Sequence, residues 1–159
     1  MNKFKSIIFT LVILTGLTIP TIAVTAPANT PLQSNNTLLV NDCITVNPLD
    51  LVARPNFYLN KNVKIKAKFD KFSTLGLDYQ PAMRSSEKYI SFLIQRPDIK
   101  DHNIPLSELK IFIDRTVAEK YIDLDSGDIV EFSGKVFSSA LGDPWMDASR
   151  FEVISKEQK

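Results

Sequence analysis

Ser126-Gly127-Asp128-Ile129-Val130-Glu131-Phe132-Ser133-Gly134-Lys135-Val136 is the stretch whose reading decides the fold. Asp125 to Asp128 has the composition of a tight turn, because Asp, Ser and Gly accept the backbone angles a turn needs. From Ile129 to Phe137 the chain reads as a strand. Val130, Phe132 and Val136 fall on one face and polar residues fall largely on the other. That period of two is the mark of a half-buried strand. Gly134 lies on the apolar face, where a glycine signals a bulge or the tight bend of a barrel.

Working outward, the same alternation recurs. Val63 to Asp70 places Val63, Ile65, Ala67 and Phe69 on one side and Lys64, Lys66, Lys68 and Asp70 on the other. Lys88 to Gln95 puts Ile90, Phe92 and Ile94 on one face and Tyr89, Ser91, Leu93 and Gln95 on the other. Leu109 to Asp114 points Leu109, Ile111 and Ile113 inward and Lys110, Phe112 and Asp114 outward. Trp145 to Ile154 closes the set, and its alternation slips near Ser149, as a bulge would make it. Five strands are therefore expected, with a short helix from Thr116 to about Ile122 between the third and fourth. A second short helix precedes them, capped by Asn47, opened by Pro48 and stopped by Pro55. Leu49, Val52 and Ala53 are its expected inward residues. The first inter-strand loop, Ser73 to Ser86, is long and rich in apolar residues, and Arg96 to Pro105 makes a turn-rich second connection.

The N-terminus reads as an export signal. Lys3 and Lys5 open it, Ile7 to Val24 carries no charge, and Ala26-Pro27-Ala28 offers a small-x-small cleavage site. Cleavage after Ala28 leaves Asn29 as the first mature residue. The competing reading is an uncleaved anchor, but Gly16 and Pro20 interrupt the apolar run. The expected organisation is a signal peptide over 1–28, a flexible leader over 29–44, one barrel domain over 45–155 and a tail over 156–159. Removal of Lys3 and Lys5 leaves 17 basic against 18 acidic side chains, a mature net charge of −1. Such a domain lacks the basic excess of a non-specific nucleic-acid binder. The lone Cys43 forms no internal disulfide, and with one His and one Cys the monomer has no His/Cys zinc site.

Five strands with one helix after the third resemble the OB-fold, a partly open Greek-key barrel. The stretch from Ser126 to Val136 looks like the fourth strand of many OB domains, a Gly-Asp turn leading into an apolar strand that ends in Gly-Lys-Val. The order of elements carries the resemblance over roughly Val46 to Ile154. In outline the chain is similar to small bacterial periplasmic OB-fold proteins, in which a signal peptide and a short helix precede the barrel. The resemblance implies a mainly β fold and a groove built by strands two and three, flanked by the first and fourth inter-strand loops. It does not fix the ligand, since OB barrels take oligonucleotides, sugars or proteins.

On that analogy the ligand-binding candidates are Tyr79, Arg84, Tyr89, Phe112 and Trp145. Exposed aromatics stack bases or sugars, and Arg84 would meet an anionic group. The competing reading is that Tyr79, Phe112 and Trp145 cover loops and barrel ends, because aromatic side chains carry large packing area whatever the function. The exposure of Trp145 decides between the two. Lys64, Lys66 and Lys68 form a basic stripe suited to anions, or simply the solvated face of a strand. Asp98, Asp101 and His102 lie close in sequence but lack the ladder of a calcium loop, so no metal and no cofactor is expected. No nucleophile elbow and no paired catalytic carboxylates occur.

The expectation is an exported, non-catalytic OB-like module, periplasmic or secreted. Its partner would be a protein, an oligosaccharide or a small anionic molecule. Nucleic acid held by the Lys64–Lys68 stripe is the alternative, and a small secreted hydrolase the second. The membrane enters only through an uncleaved signal.

Overall fold

The computed structural model describes residues 43–157. The expected signal peptide, its cleavage site and most of the leader lie outside the described residues. Six strands form one sheet: β1 (Ile44–Thr45), β2 (Asn62–Ser73), β3 (Tyr89–Ile94), β4 (Lys110–Asp114), β5 (Ile129–Ser138) and β6 (Trp145–Ser155). The short helices are α1 (Pro48–Ala53), α2 (Pro55–Tyr58) and α3 (Arg115–Ala118), the last continued by a 3-10 turn over Glu119–Tyr121.

The sheet closes on itself. β2 pairs with β3, β3 with β4, β4 with β6, β6 with β5, and β5 returns to β2. Every neighbour in that ring is antiparallel except β4 and β6, which run parallel. Five strands in this order, with the helix between the third and fourth, make the barrel an OB-fold. β1 is an addition to the ring. It pairs in parallel with the start of β2, at Ile44 with Val63 and Thr45 with Lys64, across the expected boundary between leader and barrel, where the sequence pattern shows no strand.

The local causes match the reading of the chain. The side chain of Asn47 accepts the N–H of Leu49 at 2.9 Å, and Pro48 opens α1. The inward face of α1 differs from expectation. Leu51 is fully buried, Leu49 and Val52 are partly buried against the core, and Ala53 is exposed. Pro55 ends α1 and at once opens α2, which delivers Tyr58 to the core. Asp114 caps α3 through the N–H of Thr116 at 2.8 Å. α3 and its 3-10 continuation pack Val117, Ala118 and Tyr121 on the barrel interior.

The predicted bends also appear. β5 and β6 shift register between Ser133 and Gly134, where Ser133 faces Arg150 but Gly134 faces Ala148, leaving Ser149 as the bulged residue. A Cβ on Gly134 would fall 1.7 Å from the carbonyl oxygen of Asp147, so only a glycine allows the two strands to approach here.

The interior is one apolar core, in which Ile65, Phe92, Ile94, Ile111, Phe132 and Met146 are among the buried side chains. Phe92 meets Phe132 and Phe151 edge to face at 5.0 and 5.2 Å, the arrangement ring quadrupoles favour. Among the described residues no helix is long and apolar enough to cross a membrane.

Candidate functional site

The outer face of β3 and β4 is where an OB barrel ordinarily presents its groove. Here that face is covered by the chain itself. Phe112 does leave the main core, as its place in the alternation requires, but it is 0% exposed. Trp145 is 1% exposed. The two form a second, smaller cluster with Ala82, packed against Leu77, Tyr79, Tyr89, Phe137 and Ala140. Alternation tells which face a side chain takes, not whether that face is wet. The long first loop supplies the cover.

The loop is fastened from several directions. Tyr79 stacks on Trp145 with ring centroids 5.2 Å apart. Trp145 in turn stacks against Phe112 at 5.9 Å and donates its indole N–H to the carbonyl of Ala140 at 2.8 Å. Gly76 sits so close that a Cβ there would meet Trp145 at 2.9 Å, and its φ of +82° is one that side chains avoid. Within the loop, the N–H of Asp78 donates to the carbonyl of Arg84, and its carboxylate accepts the N–H of Ser86. The Ser86 contacts hold the Asp78 carboxyl below its ordinary pKa.

Arg84 is the principal fastener. Its Nε donates to Oδ1 of Asp147 at 2.7 Å, and its Nη2 meets Oδ2. The guanidinium also lies 3.9 Å from the centroid of the Phe137 ring and 5.7 Å from that of Tyr89. The bond to Asp147 raises the Arg84 pKa further. Of the five groove candidates, then, Phe112 and Trp145 are buried packing residues and not ligand contacts. Arg84 is already paired. Tyr79 and Tyr89 remain partly exposed at the edge of the covered face.

The lysine stripe divides. Lys64 pairs with Glu131 at 3.1 Å across to β5. Lys66 and Lys68 are exposed and have no ion pair among the described residues. Both line a cleft of about 560 Å³, walled on one side by Thr45 to Pro48 and on the other by Gln95 to Pro97 with Ile99, Lys100 and Asn103. Lys100 adds a third ammonium with no ion pair among the described residues, while Arg96 is held by Glu108 at 2.7 Å and Asp98 at 3.3 Å. Among the described residues no carboxylate lines the cleft. Ion pairing with Arg96 also lowers the pKa of Asp98.

The second wall was the part that sequence reasoning missed. Lys66 and Lys68 stand out in the strand pattern, but Lys100 and Arg96 come from a turn-rich connection that gives no periodic signal. Asp98, Asp101 and His102, in that same connection, do not converge. Asp98 turns to Arg96, and the His102 ring nitrogen Nδ1 lies against the carbonyl of Asp101. Among the described residues no group of three or more His, Cys, Asp or Glu side chains is placed to hold a metal.

No protein-family model matches the chain, and no curated protein does. Solved structures similar to it include an asparaginyl-tRNA synthetase of Pyrococcus horikoshii complexed with asparaginyl-adenylate, at 17% identity and a TM-score of 0.42, over 64% of this chain. The chain spans only 20% of that synthetase. An OBody bound to hen egg-white lysozyme is similar at 10% identity and a TM-score of 0.43, over 64% of this chain and 85% of its own. A mitochondrial single-stranded DNA binding protein of S. cerevisiae is similar at 8% identity and a TM-score of 0.42, over 62% of this chain and 98% of its own.

Proposed function

We propose that the chain is an exported, non-catalytic OB-fold binding module that holds an anionic ligand in the cleft between β1 and residues 95–103. One observation carries the reading: Lys66, Lys68 and Lys100 all line a cleft of about 560 Å³ in which, among the described residues, no carboxylate takes part. Three like charges repel one another and are costly to gather without a counter-charge, so an anion entering the cleft relieves that cost. A cleft of this volume lies in the range of small-ligand sites.

The groove analogy gives less support. A sugar or base needs an open aromatic face, and the stacked faces of Trp145 are taken by Tyr79 and Phe112. The nucleic-acid alternative also loses Lys64 to Glu131 and has to work against a mature net charge of −1. Export rests on the layout of Met1 to Ala28.

Two experiments test the proposal. Calorimetric titration of the protein at low salt with citrate and with pyrophosphate is expected to show binding that weakens as salt is added and is lost in Lys66→Ala/Lys68→Ala. Absence of any binding would remove the anionic ligand. Expression of the full chain in a bacterial host, with cell fractionation and N-terminal sequencing, is expected to find protein outside the cytoplasm beginning at Asn29. Retention in the cytoplasm would remove export.

A further inference from the structure

Among the described residues, the backbone of β2 is not fully paired where it passes the cleft. One edge pairs with β5 continuously from Asn62 to Lys68. The other edge is shared by two strands that do not meet. β1 pairs at Val63 and Lys64, and β3 pairs only from Phe69 onward.

Neighbouring residues in a strand direct their N–H and C=O groups to alternate edges. Phe69 faces β5, since its N–H donates to Asp128 and its C=O accepts from Gly127. The carbonyls of Lys64 and Lys68 face the opposite edge, accepting the N–H groups of Val46 at 2.9 Å and Gln95 at 2.8 Å. Lys66 lies midway between them. Its N–H and C=O therefore face the break between β1 and β3, where no strand of the described residues pairs with it. The cleft opens on that break, lined by Lys66, Ala67 and Lys68 between Val46 and Gln95.

A main-chain donor and acceptor side by side at a sheet edge are complementary to another main chain. Lys66 and Lys68 lie two residues apart on one face, so an acidic side chain on a residue paired with Lys66 would be within reach of both ammonium groups. Val46 and Gln95 stand at the two ends of the break, so about two extended residues fit beside Lys66 and Ala67, at ~3.3 Å each, before an entering chain turns out into the cleft.

Resting on the anionic-ligand reading above, we propose that the occupant of the cleft is a short extended acidic peptide segment of a partner protein. It pairs the main chain of one residue with the N–H and C=O of Lys66 and sets its carboxylates against the Lys66 and Lys68 side chains. Lys100 contributes from the facing wall.

The test uses acetyl-Val-Glu-Val-Glu-Val-amide as probe, titrated by calorimetry at low salt against the protein, with citrate, pyrophosphate and a thymidine oligonucleotide as comparators. The peptide is expected to bind more tightly than any comparator. Binding should fall at least about tenfold in Lys66→Ala/Lys68→Ala. Both side chains are exposed, and an unchanged Trp145 emission spectrum verifies the fold of that variant. A set of peptides, each N-methylated at one amide, separates main-chain pairing from charge, because methylation removes a donor and leaves the carboxylates. At least one position is expected to lose about tenfold.

Equal binding of every methylated peptide would overturn the strand-pairing proposal. So would citrate or pyrophosphate binding as tightly as the peptide, while leaving the anionic-ligand reading intact. Tighter binding of the oligonucleotide would replace the peptide with nucleic acid. If neither peptide nor small anion binds, both readings fall together.

Discussion

The guanidinium of Arg84 grips the carboxylate of Asp147 at two points, tying the middle of the first inter-strand loop to β6. A planar fork on a planar carboxylate fixes orientation as well as distance. Both side chains are partly shielded, at 22% and 31% exposure, so the pair lies between a surface salt bridge and a buried one. Arg84 also covers the Phe137 ring. Residues 74–88 are therefore a fastened cover over the usual OB groove.

Arg84→Ala should loosen that cover without opening the barrel. The expected loss is about 1–2 kcal/mol in urea unfolding, after discounting for partial exposure. Hydrogen exchange should rise over residues 74–88 while β2, β5 and the main core keep their protection. Emission from Trp145, the chain's single tryptophan, should shift toward the red as water reaches it. Uniform exchange across the barrel would show that the loop is an integral part of the fold and not a fastened cover.

Gly76→Val tests the same cover by a different route. The substitution puts a β-branched residue at φ +82° and drives its Cβ to within 2.9 Å of Trp145. Strain and overpacking together should cost about 2–3 kcal/mol. Gly142 is the matched control. It also has a positive φ, of +80°, but a Cβ there meets nothing within 4 Å. Gly142→Val should retain the strain component and lose the clash, so equal losses at the two positions would refute the close packing of Gly76 on Trp145.

Much of this barrel was legible because each strand carries its own signal. Val63 to Phe69 alternates strictly, and the slip near Ser149 forecast the register shift opposite Gly134. The cover over the groove was not legible. Phe112 was correctly placed off the main core, but the loop that buries it meets it only through the tertiary fold, and no period in 74–88 announces that contact. The cleft was half legible for the same reason. Lys66 and Lys68 lie on one strand face, whereas the partner of Lys64 is Glu131, a strand away across the sheet and 67 residues on in sequence. β1 is only two residues long, too short for any alternation to show.

Gly134 joins a legible signal to a measurable consequence. Its absent side chain admits the carbonyl of Asp147, and the neighbouring bulge lets β6 bend around the core. Gly134→Ala would require backbone to move, since the obstruction is a carbonyl and not a flexible side chain. A loss of about 3 kcal/mol or more is expected in denaturant unfolding. That is a large share of the stability of a small domain. A loss below about 1 kcal/mol would mean that β5 and β6 separate here easily.

Acid should unfold the protein partly through Asp128, which is 1% exposed at the turn before β5. Burial by itself would raise its pKa. The backbone N–H groups of Glu157 at 2.8 Å and Asp125 at 3.0 Å, with Lys156 at 3.1 Å, outweigh that effect and hold the pKa below the ordinary value. A carboxyl depressed on folding adds stability above its unfolded pKa, and that stability is lost as pH falls through the folded pKa. Melting temperature should therefore be nearly level from neutral pH to about 5 and fall progressively below about 4. Asp128→Asn keeps the shape but removes the charge and turns one acceptor into a donor facing an N–H. It should lower the melting temperature at neutral pH and make the acid decline shallower. The decline should not vanish, because Asp78, Asp98, Glu108 and Asp114 are depressed as well. If Asp128→Asn melts at an unchanged temperature at neutral pH and declines as steeply in acid, the carboxylate does not anchor this turn, and the C-terminal contacts at Lys156 and Glu157 are incidental to stability.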